Sequence, residues 1–182
     1  MSQTVNGQAV LFDSRTDGPH PHLRKWQIPG TKRSLLLRDG AIGFLLIHVA
    51  LWFDESIERL DRIGDVWDEW GWAVRPVRGQ STGYSQHAGG CAEDLNATRH
   101  PRGVSIRHTY TNAQIRSIRL RMKMYNGCVR WGGEFSTPDG MHFEIGPVSL
   151  AKCERLAKIL MKTPRGKRIL DANKGARAVI LS

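Results

Sequence analysis

The chain has 182 residues, 40% of them hydrophobic, and its 27 Lys and Arg against 17 Asp and Glu leave a net charge of +10. That length suits one compact domain rather than two sizeable ones, and the hydrophobic share supports a core and argues against global disorder. The charge favours a polyanionic partner (nucleic acid, an anionic membrane surface, or a wall rich in carboxylates and phosphates) without choosing among them. Three cysteines, Cys91, Cys128 and Cys153, are too few and too scattered for a disulfide framework, and an odd count fits synthesis in a reducing compartment. The first residues show no basic-then-apolar signal pattern, so the chain is expected to be held in a cytoplasm.

In chain order, residues 1–39 read as irregular structure with short strands. Turn chemistry marks RTDGPHPH, and SLLLRDG is a short strand ending in a turn. The longest apolar run, residues 41–53, contains His48 and is too short to span a bilayer. The helical pattern extends over 41–63, where Leu45, His48, Val49, Phe53, Ile57, Leu60 and Ile63 share one face. WDEWGWAVRPVRG then reads as a turn followed by a strand, and 79–103 as loop. Thr111 is the expected N-cap of a second helix, with Gln114 completing a capping box, Ile115, Ile118 and Met122 on its apolar face, and Asn126-Gly127 at its end. CVRWGGEF and MHFEI read as two strands joined through Pro138-Asp139-Gly140, and SLAKCERLAKILMK as a helix with a short last turn after it. The expected architecture is a small α+β domain spanning 1–182: an N-terminal irregular segment (1–39), a core (40–148) and a C-terminal helical segment (149–182).

Ser85 to Pro101, SQHAGGCAEDLNATRHP, concentrates chemistry. His87 and Asp94 are good zinc ligands, and Gly89-Gly90 lets the chain turn back so that they converge. Two ligands do not make a catalytic zinc site, which takes three plus an open position. In STPDGMHFEI, His142 stands in a strand with Asp139 three residues before it. A buried His of this kind is more often a satisfied core residue, but a carboxylate close to a ligand is what a metal hydrolase needs to take a proton from water.

Together, S-x-H-x-x-G-x-A-x-D and D-x-x-H resemble the signature of the D-alanyl-D-alanine metallopeptidase family, which includes D,D-carboxypeptidases, dipeptidases and phage L-alanyl-D-glutamate endopeptidases. VRWGGEF resembles the strand before the last ligand in the endolysin branch, and WGWAVRPVRG and DLNATRHP resemble segments of endolysins from phages of actinobacteria. The resemblance covers roughly residues 25–175. It implies a hedgehog-like fold, a central antiparallel sheet flanked by helices, with Zn2+ held by His87, Asp94 and His142. It also implies Asp139 as the catalytic carboxylate, and an Arg that polarises the scissile carbonyl: Arg78 matches that place, with Arg75 in reserve. The implied activity is cleavage of peptidoglycan stem peptides at an L-Ala-D-Glu-type bond, by a phage endolysin that stays in the host cytoplasm until lysis and then reaches the wall. The alternatives are a D-alanyl-D-alanine carboxypeptidase of the same family or a non-catalytic wall-binding module.

Among other candidates, Cys91 reads as small filler, and His100 and His108 as solvated loop residues. His20 and His22 flank a Pro without making a site. Glu93 is expected to face solvent, because neighbours on an extended segment point oppositely. Glu144, on the same face as His142, is a candidate to orient it. Tyr84 and Trp131 are groove or core residues, and Ser85 serves a turn or the metal. The basic residues of IRSIRLRMKMY and KTPRGKR form a solvated helical face rather than a nucleic-acid motif. The expected partner is therefore an anionic wall, with no nucleic acid, no stable membrane insertion, and a monomeric state.

Overall fold

The computed structural model of the chain describes residues 4–11, 22–60, 67–75 and 83–182. Its architecture is α+β, as the sequence implies. Two antiparallel hairpins open the chain: β1 (Thr4–Val5) with β2 (Gln8–Ala9), and β3 (Leu23–Gln27) with β4 (Ser34–Arg38). The central sheet holds β5 (Ala92–Asp94), β6 (Val129–Trp131) and β7 (His142–Ile145), all antiparallel in the order β5-β7-β6. The described residues also form six helices: α1 (Ala41–Ser56), α2 (Ile106–Thr109), α3 (Asn112–Met124), α4 (Leu150–Leu160), α5 (Pro164–Ala172) and α6 (Ala176–Leu181).

Helix α1 is the centre of the fold. Every residue from Ala41 to Asp54 is buried, because β3, β4 and β7 pack on it together with α4, α5 and α6. A helix enclosed this completely is apolar all round rather than on one stripe. Gly43 lets the β3-β4 hairpin lie directly on it: a Cβ there would fall 2.2 Å from the Arg38 carbonyl oxygen and 2.3 Å from Trp26 Nε1. The helix is shorter than the pattern over 41–63 suggests. After Ser56 the Ile57 and Glu58 N–H groups both donate to the Phe53 carbonyl, and Leu60 N–H donates to Asp54 Oδ1 at 2.8 Å. Asp54 thus folds the chain back, and residues 61–63 lie outside the described ones. No described helix is long and apolar enough to cross a membrane.

Helix α3 starts where its capping box lies. Thr111 Oγ1 accepts from Gln114 N–H at 3.2 Å and Gln114 Oε1 accepts from Thr111 N–H at 2.8 Å. It ends in two left-handed residues, Asn126 (φ 49°) and Gly127 (φ 78°). Three elements differ from expectation. Residues 71–75 form no strand, Trp70 making a single bridge with Asp94, and residues 76–79 lie outside the described ones. The stretch 79–103 is not all loop, since it holds a turn of 3₁₀ helix (Gln86–Gly89) and β5. The C-terminal segment continues past α4 into two further helices, α5 starting from a Thr163 cap with Pro164 in its first turn.

Candidate metal centre

Strand register builds the site. Across β5 and β7, Asp94 stands opposite His142 and Ala92 opposite Glu144. Across β6 and β7, Arg130 stands opposite Glu144. Alternation along the strands therefore places Asp94, His142, Glu144 and Arg130 on one face, and Glu93, Phe143, Ile145 and Trp131 on the other. The second face packs on α1, with Phe143 and Phe53 ring centroids 5.9 Å apart. This overturns the expectation that Glu93 faces solvent. It does point away from Asp94, but that side is core, and Glu93 is fully buried. Burial, aided by the Asp94 charge, pushes its carboxyl well above the usual range.

His87 reaches the same face from the 3₁₀ turn. Ser85 Oγ caps that turn by accepting from His87 N–H at 3.4 Å. Gly90 reverses the chain with φ 67°, and a Cβ there would fall 2.6 Å from the Arg38 nitrogen, so the turn needs glycine for both conformation and space. Three ligand atoms then converge. His142 Nδ1 lies 2.8 Å from Asp94 Oδ1, His87 Nε2 lies 3.2 Å from the same oxygen, and the two ring nitrogens are 3.3 Å apart. All three residues are buried.

Outer partners fix which lone pairs point inward. His87 Nδ1 lies 2.6 Å from the Gly71 carbonyl oxygen, which only accepts, so Nδ1 carries the hydrogen and Nε2 presents its lone pair. His142 Nε2 lies 2.8 Å from Glu144 Oε2. Burial would raise the Glu144 carboxyl, but His142 and Arg130 outweigh it and hold Glu144 charged and below the usual range. The His142 hydrogen therefore goes to Nε2, and Nδ1 also faces inward bare. Three acceptors directed at one another at these distances repel unless a cation or proton lies between them. Without a metal, a proton fills that need: burial disfavours the charged ring, yet Asp94 and Glu144 raise His142 to about 10. Asp94 is correspondingly held far below its ordinary range, its burial being outweighed by the hydrogen bond from protonated His142.

The dimensions approach those a tetrahedral metal ion would need. Zinc–ligand distances of about 2.0–2.1 Å around a tetrahedron place ligand atoms about 3.3–3.4 Å apart. The His87–His142 and His87–Asp94 separations meet this, and the His142–Asp94 contact needs to open by about half an ångström. Two imidazoles and one carboxylate leave a fourth position for water or substrate.

His142 and Glu144 border a cavity of about 500 Å³ that Arg75, Arg102, Arg130 and Asp139 also line. Asp139 is held by backbone: its N–H donates to the Gly132 carbonyl at 2.9 Å, and its carbonyl accepts from His142 N–H at 3.1 Å. Gly132 makes this possible, since a Cβ there would lie 2.7 Å from the Asp139 carbonyl oxygen and 3.0 Å from the His142 Cβ. Arg75 lies 3.4 Å from Asp94 Oδ2. Arg78 lies outside the described residues.

The remaining candidates divide. Tyr84 lines the cavity. Trp131 is core, its Nε1–H donating to the Gly140 carbonyl at 2.7 Å. Cys91 is buried filler, its thiol pushed up to about 11 by burial. His100 is not solvated: it stacks on Tyr110 with centroids 3.7 Å apart, and its Nε2 meets Glu58 Oε2 at 3.0 Å. His108 and His22 are exposed, and His20 lies outside the described residues. The Gly71 carbonyl escaped the sequence reading. Its signal is the glycine between two tryptophans in WGW, where a Cβ would fall 2.4 Å from the Leu36 carbonyl oxygen.

A family model described as D-alanyl-D-alanine carboxypeptidase matches residues 78–145. That span contains His87, Asp94, Asp139 and His142. The match supports a relationship to this peptidase family and a hydrolase reading of the cavity. Neither the curated proteins nor the solved structures give a match.

Proposed function

We propose that the chain is a zinc-dependent peptidoglycan peptidase that cuts stem peptides at an L-Ala-D-Glu-type bond, acting as a phage endolysin that waits in the host cytoplasm and then works on the wall. The observation that carries the peptidase reading is the inward-facing set His87 Nε2, Asp94 Oδ1 and His142 Nδ1, which meets through His142 a cavity that Asp139 also lines. A zinc ion held there would polarise the scissile carbonyl and acidify a water molecule. Asp139 would take a proton from the attacking water and return it to the leaving amine. A guanidinium, Arg78 by resemblance or Arg75 by its place on the cavity, stabilises charge developing on the carbonyl oxygen. Glu144 and the Gly71 carbonyl keep the two imidazoles oriented, the role outer partners have at zinc sites. The endolysin role is supported by the likeness of VRWGGEF, WGWAVRPVRG and DLNATRHP to that branch.

A second reading, D-alanyl-D-alanine carboxypeptidase, is favoured by the description of the matching family. Mass spectrometry of the products from purified peptidoglycan separates the two, since the endopeptidase leaves new L-Ala and D-Glu ends and the carboxypeptidase releases free D-alanine, and the appearance of neither refutes both. The metal is checked in parallel. Wild-type protein should carry about one zinc per chain, and His142→Ala should lose zinc and hydrolysis together. Full zinc retention by that variant would remove His142 from the ligand set.

A further inference from the structure

We infer that Arg102 selects the substrate, by receiving a carboxylate on the residue that carries the leaving amine; this rests on the peptidase reading above. Among the described residues, three guanidiniums line the cavity. Arg75 is engaged with Asp94 Oδ2 at 3.4 Å, and Arg130 with Glu144, its Nε–H donating to Oε1 at 2.6 Å. Arg102 has no ion pair or side-chain hydrogen bond among the described residues. It is nonetheless half-buried, between exposed Pro101 and Gly103. A long cation served only by water would extend from such a loop, whereas this one lies along the cavity wall.

Its position relative to Asp139 is fixed by backbone. Gly103 N–H donates to the Pro138 carbonyl at 2.7 Å, and Met141 N–H donates to the His100 carbonyl at 3.2 Å. Tyr110 braces the same place, its ring stacked on His100 and its hydroxyl donating to the Gly140 carbonyl at 3.0 Å. Residues 100–103 and 138–141 therefore make one wall, bearing both Asp139 and Arg102. Asp139 hands its proton to the leaving amine, so the residue bearing that amine lies against this wall. Both bonds considered above put a spare carboxylate on that residue. D-Glu has one carboxyl more than a chain linkage consumes, and a C-terminal D-Ala ends in one. A guanidinium takes a carboxylate through a two-point fork, and a neutral amide at the same place leaves the cation unpaired.

Four soluble peptides test this. One pair carries acyl-L-Ala-D-Glu with the spare carboxyl free or as carboxamide, and the other carries acyl-D-Ala-D-Ala as free acid or C-terminal amide. The kcat/KM values are compared for zinc-loaded wild type, Arg102→Gln and Arg102→Lys. In whichever pair is cut, wild type should prefer the acid by about 10–100-fold. Arg102→Gln should bring the acid-to-amide ratio close to one, and Arg102→Lys, which keeps charge without the fork, should restore only part of it. The pair that is cut identifies the source of the carboxylate. Equal wild-type rates on acid and amide, or an equal fall on both in Arg102→Gln, overturns the inference and leaves the peptidase reading standing. Cleavage of peptidoglycan but of none of the four peptides also overturns it. No cleavage of any substrate overturns the peptidase reading and the inference together.

Discussion

Asp139 illustrates how little freedom the residues of this cavity have. Backbone hydrogen bonds join it to Gly132 on one side and to the nitrogen of His142 on the other. Asp is one methylene shorter than Glu, so the carboxylate depends on this backbone for its reach. Replacing Asp139 with Asn keeps the shape and removes only the ability to accept a proton from water. The expected result is an unchanged zinc content and thermal midpoint, with turnover lowered by about 10²–10⁴-fold. Hydrolysis near the wild-type rate would move the base to another carboxylate. Glu144 is then first in line because it lines the cavity, whereas Glu134 is half-exposed and paired with Arg119 at 2.8 Å. At this scale, the convergence of His87, Asp94 and His142 was legible through the two motifs whose resemblance links them. Glu93 and His100 were misread because burial is not local. Alternation along a strand says that two neighbours point oppositely, but only the position of α1 says that the far side is core.

Among the elements, α1 and α3 are joined by a buried polar contact. His48 Nδ1 lies 2.8 Å from the hydroxyl of Tyr125, the residue that caps the C-terminus of α3. Burial first, then the charges of Arg165 and Arg121, lower the His48 pKa from 6.5 to about 3. Between those two values the unfolded chain binds a proton that the folded chain refuses, so stability falls as pH falls through this window and is insensitive to His48 above it. The slope from one such group approaches about 1.4 kcal/mol per pH unit. Urea unfolding at pH 7, 6, 5 and 4 should show this loss in the wild type. A His48→Leu, Tyr125→Phe double variant, which leaves no orphaned hydroxyl, should show a correspondingly shallower loss. Equal slopes would mean that His48 is charged in the fold. Element legibility followed the same divide as residue legibility. The α3 cap was readable because Thr111 and Gln114 carry it within four residues. Strand β5 was not, because three residues among Gly, Asn and Thr acquire strand geometry only by pairing with β7, far along the chain. The starts of α5 and α6 offered signals, Thr163-Pro164 and Gly175, that the sequence reading passed over.

On the scale of the whole molecule, the positive charge is unevenly placed. Residues 149–182 carry nine Lys and Arg against Glu154 and Asp171, a surplus of seven within the total of +10. Arg155, Lys158, Lys162 and Lys167 are exposed on α4, α5 and the turn between them, and none of them lines the cavity of His142 and Asp139. A basic face separate from the site suits attachment to an anionic wall better than direct use in catalysis. The two uses respond differently to salt. Attachment acts across solvent and is screened as the Debye length falls from about 10 Å at 0.1 M to about 3 Å at 1 M. The proton transfer proposed for Asp139 would act at contact range inside the cavity. Binding to purified sacculi should therefore weaken steeply over that salt range, while kcat/KM on a small soluble stem peptide changes little. Converting Arg155, Lys158 and Lys162 to Glu should weaken sacculus binding at 0.1 M and leave peptide cleavage within about threefold, since exposed charges contribute little to stability. An equal salt-dependent loss on sacculi and on the soluble peptide would assign the charge to the site itself, and the helical face would lose its role in wall attachment.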